Sequence, residues 1–97
     1  MEFTKTIFDF KNAKGNILAY VYVFFEDIIK IECKILKGKD GTIFVSLPTR
    51  KDYNTEKYIN TVNIIDKRIY KHFQETTILA YKRRIAEMAE RMPKEVE

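Results

Sequence analysis

The sequence has little of what disulfide scaffolds and metal sites need: one cysteine, one histidine and no tryptophan in 97 residues. A single cysteine cannot close an internal disulfide, so a secreted disulfide-rich domain is not indicated and a reducing, cytoplasmic location is expected. One histidine and one cysteine are also too few for an ordinary zinc site. The sequence therefore predicts no metal and no cofactor.

Long apolar runs are also missing. The longest, residues 17–25, has nine residues, whereas a membrane-spanning helix needs about 20. The N-terminus carries Glu2 and Lys5 and lacks a signal-peptide pattern, so no membrane contact is expected. With 45% hydrophobic and 33% charged residues, the chain is typical of one folded domain spanning 1–97.

Motifs of the common enzyme classes are not found. The sequence contains no glycine-rich phosphate loop, no paired histidines and no nucleophile elbow. Asp40 and Asp52 lie in turns without a partner for general acid–base chemistry. The protein is therefore not expected to be an enzyme or to take a small-molecule substrate.

Positive charge is present, and it is unevenly placed. The net charge is +4. Residues 1–66 carry ten basic and nine acidic side chains, whereas residues 67–92 carry seven basic and three acidic ones. A basic C-terminal third is typical of a surface that binds polyanions. A merely solvated helix face explains the same pattern and stays open as an alternative.

The first two thirds of the chain read as strands. Strands are predicted at 3–10, 17–25, 28–36, 42–47 and, more weakly, 58–64. Residues 49–57 are polar and predict a loop. In 28–36 apolar and charged residues alternate, which places Cys33 in the core. Residues 17–25 are apolar on both faces, which predicts a helix over one face and a second subunit over the other.

The last third reads as helix. Asp66 is a predicted N-cap, and apolar residues recur at helical spacing through the region 67–92. Either one helix of about 25 residues or a break at the β-branched pair Thr76-Thr77 fits this pattern. The predicted fold class is α+β: an antiparallel sheet of four to five strands (3–64) followed by C-terminal helix.

The stretch Gly38–Asp52 has a glycine-bracketed turn, a strand that ends at Pro48, and then Thr49 and basic residues. This order resembles the stage V sporulation protein G family of septation regulators, and the resemblance covers roughly residues 15–82. The family usually has Pro-Ile-Asn-Ser before its helix, where this chain has residues 64–67, and often an arginine at the position of Tyr70. The resemblance implies a homodimer that binds DNA, and in some members RNA, to regulate gene expression.

Candidate contact residues follow from the resemblance and from the charge pattern. The resemblance implies Thr49, Arg50 and Lys51 by motif. By position, the candidates in the helical region are Lys67, Arg68 and Lys71; the basic run that follows Tyr81 adds Arg83 and Arg84. Each group also fits a solubilising surface, and Arg83 could instead pair with Glu87. Tyr53 and Tyr58 could stack on unpaired bases, although partly buried sheet aromatics are the favoured interpretation.

Two functions remain after these exclusions. The first is a homodimeric regulator whose basic surfaces neutralise phosphates of DNA or RNA, with Arg50 as the candidate for reading a base edge. The second is a protein-interaction or dimerisation module in cell-division regulation that does not touch nucleic acid. Loss of binding in an Arg50→Ala/Lys51→Ala variant would distinguish the first from the second.

Overall fold

The computed structural model describes residues 2–91. Residues 3–46 form one antiparallel sheet whose strands are joined by short turns. The strands are β1 (Phe3–Asp9), β2 (Ile17–Phe25), β3 (Ile29–Lys37) and β4 (Ile43–Ser46), in that spatial order. The β2–β3 turn spans residues 26–28, and its residues Glu26 and Asp27 have φ of 52° and 54°, as in the primed turns that match the twist of paired strands. The four predicted strands are confirmed to within one residue at each end.

The core lies on one face of this sheet. Every second residue of β2 is buried there, from Ala19 at 0% exposure to Phe25 at 3%. Cys33 and Ile35 of β3 join them, as the alternation of 28–36 predicts. This face is covered by α1 (Lys67–Arg91), and the predicted α+β class is confirmed.

Helix α1 begins where the sequence predicts. The carboxylate Oδ1 of Asp66 accepts hydrogen bonds from the backbone N–H of Arg68 at 2.8 Å and of Ile69 at 3.2 Å, so Asp66 is the N-cap. The helix is continuous across Thr76-Thr77 because Thr77 is buried to 1% exposure, and packing outweighs weak propensity. The predicted end of the helical region at Met92 lies outside the described residues.

A side chain of α1 holds the free edge of the sheet. The backbone N–H of Val45 in β4 donates to Gln74 Oε1 at 2.8 Å, and Gln74 Nε2 donates to the Val45 carbonyl at 2.7 Å. The same Nε2 donates to the Tyr70 hydroxyl at 3.1 Å. The amide thus satisfies the backbone that an edge strand exposes, and that protects the edge from pairing with another chain.

The segment after Pro48 differs from the sequence prediction. The sequence predicts a loop at 49–57, but β5 (Thr49–Lys51) pairs antiparallel with β6 (Tyr58–Asn60). The strand expected at 58–64 is correspondingly shorter. Both strands are exposed along their whole length, so their sequences lack the alternation of apolar and polar residues that predicts a strand. The turn between them holds the two strands together. At the base, the backbone N–H of Thr61 donates to the Pro48 carbonyl at 2.8 Å.

Candidate nucleic-acid interface

The hairpin of β5 and β6 (residues 49–60), here called the basic hairpin, has a turn that is organised by hydrogen bonds to Asp52. Its carboxylate accepts from the backbone N–H of Asn54 at 3.0 Å and from the Thr55 hydroxyl at 3.1 Å. Its backbone N–H donates to the Lys57 carbonyl at 2.8 Å, and its carbonyl accepts from the backbone N–H of Glu56 at 2.7 Å. This turn chemistry gives an otherwise polar segment one conformation.

The register of the basic hairpin sorts its side chains between two faces. Arg50 lies opposite Ile59, and Lys51 lies opposite Tyr58; directly opposite residues share a face. One face therefore combines a lysine with an aromatic ring, and the other presents the arginine. All three residues of β5, including Thr49, are exposed.

The two tyrosines of this region are exposed, so the favoured interpretation of them as partly buried sheet aromatics is wrong. Tyr53 is 88% exposed and Tyr58 is 72% exposed. The reason is that the basic hairpin forms a separate two-stranded sheet. Its rings are therefore available to a ligand.

The second cluster of candidate cations lies at the start of α1. Lys67, Arg68 and Lys71 are all exposed, and Lys67 and Lys71 are one turn apart on the same side. Lys71 Nζ lies 3.8 Å from Glu75 Oε1, an exposed pair that contributes little and exchanges readily. Thr61, at the base of the basic hairpin, precedes Lys67 by six residues, so their Cα atoms are within about 20 Å.

Arg83 and Arg84 are not part of that cluster. Sixteen residues of helix separate Arg83 from Lys67, a rise of about 24 Å. Both arginines line a cleft of about 420 Å³ beside Thr6 and Phe8 of β1. Arg84 Nη1 lies 3.7 Å from Glu87 Oε2. The ion pair of Glu87 is therefore with Arg84 and not with Arg83, the alternative that the sequence suggested. The eight predicted residues therefore form three groups, on the basic hairpin, at the start of α1, and beside β1.

The sequence did not lead to one further surface, which lies on the sheet face opposite the core. The rings of Tyr20, Tyr22 and Phe24 are half-buried there. A lysine ammonium lies over each ring: Lys34 at 5.9 Å from the centroid of Tyr20, Lys30 at 5.3 Å from Tyr22 and Lys5 at 5.7 Å from Phe24. We call these six residues the aromatic-lysine face. The sequence does carry a signal for it, aromatics at every second position of 17–25, but that pattern by itself predicts only a subunit interface.

The turn that leads into β4 is ordered by a carboxylate. Asp40 Oδ1 accepts from the backbone N–H of Thr42 at 3.0 Å, and hydrogen bonding by Thr42 holds the pKa of Asp40 below its ordinary value. Gly41 has φ of +85°, a conformation that glycine adopts at no steric cost. Asp40 is thus a turn residue, as the sequence predicts.

The turn, strand and proline of residues 38–48 thus lead directly into an ordered, exposed, basic hairpin. A family model for SpoVG matches residues 1–83. The chain belongs to the SpoVG family. The match includes the basic hairpin, the start of α1 and Arg83, and it ends one residue before Arg84. It also extends the resemblance seen in the sequence to the N-terminus.

SpoVG is a regulatory family associated with sporulation and septation. Membership in this family supports a regulatory role of that kind for the chain. Searches of curated proteins and of solved structures returned no match. Within residues 2–91, no helix is both long and apolar enough to cross a membrane. In the same residues, no three His, Cys, Asp or Glu side chains are grouped so as to hold a metal ion.

Proposed function

We propose that this SpoVG-family protein is a homodimer that regulates gene expression by binding nucleic acid through the basic hairpin and the start of α1. The observation that supports this most strongly is the hairpin itself. It is ordered by backbone pairing and exposed, and neither Arg50 nor Lys51 has an ion-pair partner among residues 2–91. A two-stranded ribbon of this kind fits the major groove of DNA, which is about 12 Å wide.

The two residues have different roles in this proposal. Arg50 offers a planar fork that can bind a phosphate or the O6 and N7 edge of guanine, whereas Lys51 offers a point charge to a phosphate. The lysine shares its face with Tyr58, whose exposed ring can pack on a sugar or base. Arg50 therefore carries any sequence preference, and Lys51 contributes to affinity for all sequences.

The start of α1 supports the same interpretation. The first turn contains no acidic residue, and Lys67 and Arg68 place positive charge at the positive end of the helix dipole. This placement costs a few tenths of a kcal/mol. Charge that weakens the helix is better explained by an anionic ligand. We propose that Lys67, Arg68 and Lys71 bind phosphates beside the basic hairpin.

A mobility-shift titration with duplex DNA and with RNA at about 50 mM salt tests the proposal. We expect Arg50→Ala/Lys51→Ala to weaken binding at least tenfold. The matched control is Lys11→Ala/Lys14→Ala, which removes the same charge from the exposed β1–β2 turn and is expected to change affinity less than threefold. Equal losses of affinity in both variants would mean that the hairpin residues act only through the net charge of the protein. Undiminished binding by the hairpin variant would eliminate the hairpin's role.

An apolar cleft favours the second candidate function, a protein-interaction surface. The cleft has a volume of about 340 Å³ and lies between the β2–β3 turn and the start of α1. Its lining includes Ile29, Ile64 and Ile65, and Ile65 is 93% exposed. Exposed apolar surface of this kind marks protein contacts. We propose that a second copy of the chain covers it in the homodimer.

The oligomeric state tests this second surface. We expect sedimentation to show a dimer for the wild type and a monomer for Ile65→Asp. Leu79→Asp is the control, because Leu79 is also exposed, at 51%, but lies within α1 and outside this cleft. A dimer that survives Ile65→Asp would place the interface on another surface.

A further inference from the structure

The face of the sheet turned away from α1 has a composition that the core does not explain. On β2, the residues between the buried ones are all aromatic: Tyr20, Tyr22 and Phe24. Side chains alternate between the two faces of a strand, so these rings point away from Phe73 and the rest of the core. Their half-burial comes from neighbours on β1 and β3, and their remaining surface is open.

Three of the six residues directly opposite these rings are lysines, and the other three are Ile7, Asp9 and Glu32. In the strand register, Lys5 of β1 lies opposite Phe24, and Lys34 of β3 lies opposite Tyr20. Their ammonium groups and that of Lys30 lie within 5.3–5.9 Å of the three ring centroids. Each ring is thus beside a cation that can swing from the ring to a phosphate without moving the backbone.

The aromatic-lysine face is also continuous with the basic hairpin. A cleft of about 230 Å³ is lined by Glu32 and Lys34 of β3 and by Ser46, Pro48 and Thr49 at the root of the hairpin. Lys34, which lies over Tyr20, therefore borders the same cleft as the first residue of β5. A nucleic-acid strand that is bound at Arg50 and Lys51 can therefore continue along this cleft to the rings of β2.

We infer that the aromatic-lysine face binds unpaired bases of single-stranded nucleic acid, with the rings stacking on bases and the lysines holding the phosphates between them. Rings that interleave with cations are what single-strand platforms use. This inference rests on the proposed nucleic-acid binding and adds a second surface to it. It specifies that the surface takes a single strand or a loop.

The spacing of the rings argues against a duplex as the occupant. Residues i and i+2 of a strand are about 6.7 Å apart, which is about twice the 3.4 Å rise between stacked bases in one strand of a duplex. Bases in an intact duplex also have their faces covered by their neighbours. Successive rings of β2 therefore match bases that have been separated, as in an extended single strand.

The charge argues against a second copy of the chain as the occupant. A two-fold contact places the same patch against itself. On this face each copy carries three lysines and two acidic side chains, Asp9 and Glu32, so a two-fold contact would bury an excess of positive charge from both copies. Asp9 already accepts hydrogen bonds from the β1–β2 turn. Burying an excess of like charges is costly, whereas a polyanion is complementary to it.

The test compares an oligouridine of about 12 nucleotides, within the usual site size, with an RNA duplex of the same length, by fluorescence anisotropy. The variant is Tyr20→Val/Tyr22→Val, which introduces β-branched residues that favour strands and removes two rings. Tyr20→Phe/Tyr22→Phe is the matched control that keeps the rings. We expect the valine variant to bind oligouridine at least tenfold more weakly and the duplex within twofold of wild type. The phenylalanine variant should bind both as wild type does.

A second pair of variants keeps the inference testable if the valine variant does not fold. Lys30→Gln/Lys34→Gln should weaken oligouridine binding severalfold, whereas Lys11→Gln/Lys14→Gln should not. Ultraviolet crosslinks to oligouridine should map to the peptide that carries Tyr20, Tyr22 and Phe24. Crosslinks confined to the basic hairpin, with wild-type oligouridine affinity in the Lys30/Lys34 variant, would overturn the inference.

The outcomes separate this inference from the proposed function. Duplex binding that depends on Arg50 and Lys51, together with oligouridine affinity unchanged by the valine or glutamine variants, refutes the face and leaves the hairpin. Failure of the wild type to bind either probe refutes both. A valine variant that turns monomeric while its oligouridine affinity is unchanged would assign the face to dimerisation instead.

Discussion

Gln74 is the residue that most directly determines how α1 sits on the sheet. It is a single polar side chain on a helix, yet it completes the backbone hydrogen bonding of Val45 on the edge strand. Both the oxygen and the nitrogen of its amide are used, and the Tyr70 hydroxyl accepts a further hydrogen bond from the amide nitrogen. A partly buried polar pair of this kind costs more to break than it contributes when formed.

We expect Gln74→Leu to lower the free energy of unfolding by about 2 kcal/mol, because the N–H and C=O of Val45 lose their partner. Urea denaturation followed by circular dichroism measures this. Glu75→Gln is the control, since Glu75 is exposed and its ion pair with Lys71 is weak; its cost should be below about 0.5 kcal/mol. Equal costs for the two variants would contradict the role assigned to Gln74.

Cys33 shows the opposite case, a reactive residue type made inert by its position. The side chain is 1% exposed, and its burial, with a smaller effect of the Glu32 charge, raises the pKa of the thiol to about 12. The thiol is therefore neutral at physiological pH and is not a nucleophile. The sequence prediction that Cys33 is a core residue is confirmed.

The raised pKa of Cys33 has a consequence for stability at high pH. Above about pH 9 the unfolded chain loses the thiol proton that the folded chain retains, so the free energy of unfolding falls as pH rises toward about 12. Between about pH 8 and pH 10 we expect wild type to lose about 1 kcal/mol more than Cys33→Ala. Urea denaturation at the two pH values measures the difference. Parallel losses in both proteins would be inconsistent with a buried, protonated thiol.

At the scale of the elements, local chemistry explains where α1 begins. The carboxylate of Asp66 accepts hydrogen bonds from two of the free N–H groups of the first turn. The start of α1 is predictable to the residue because an N-cap is a property of a few neighbouring side chains.

We expect Asp66→Ala to destabilise the protein by about 1 kcal/mol, since the N–H groups of Arg68 and Ile69 lose their acceptor. Asp66→Asn retains an acceptor oxygen and should cost only a few tenths of a kcal/mol. Thermal unfolding of the three proteins measures both. An asparagine variant as unstable as the alanine variant would assign the effect to the charge of Asp66 next to Lys67 and Arg68.

The basic hairpin is the element that the sequence does not predict, and the reason is physical. Buried strands are recognisable because one face must be apolar, but β5 and β6 are exposed on both faces. What organises them is a side-chain turn at Asp52 and pairing across the base at Pro48 and Thr61. Neither leaves a periodic pattern, so the polar stretch is typical of a loop.

At the scale of the whole molecule, charge is arranged along a surface and not in one patch. The basic hairpin and the start of α1 are close in the chain, whereas Arg83 and Arg84 lie about 24 Å farther along the helix and border β1. A homodimer would double the formal net charge of +4. Two copies of the basic surface can then bind one nucleic acid at several separated phosphates.

This arrangement makes binding depend strongly on salt. With four to six phosphates bound by the dimer, raising salt from about 50 to 200 mM should weaken binding by roughly two to three orders of magnitude. Arg50→Ala/Lys51→Ala should reduce the slope of log K against log salt by about 0.9 for each phosphate that the variant no longer neutralises. Anisotropy titrations at four salt concentrations measure the slope. A slope near zero would mean that phosphates are not the ligand.

The sequence alone determined the sheet, the helix start and the family. Apolar alternation, turn glycines and an N-cap are local features, and each acts over a few residues. Which rings and cations come together depends on the folded sheet. The lysines over Tyr20 and Tyr22 come from β3, and the lysine over Phe24 comes from β1. Strand register brings them together, and register depends on the pairing of distant segments. The hydrogen bonds between Gln74 and Val45 likewise join segments that are distant in the chain, which no local pattern could specify.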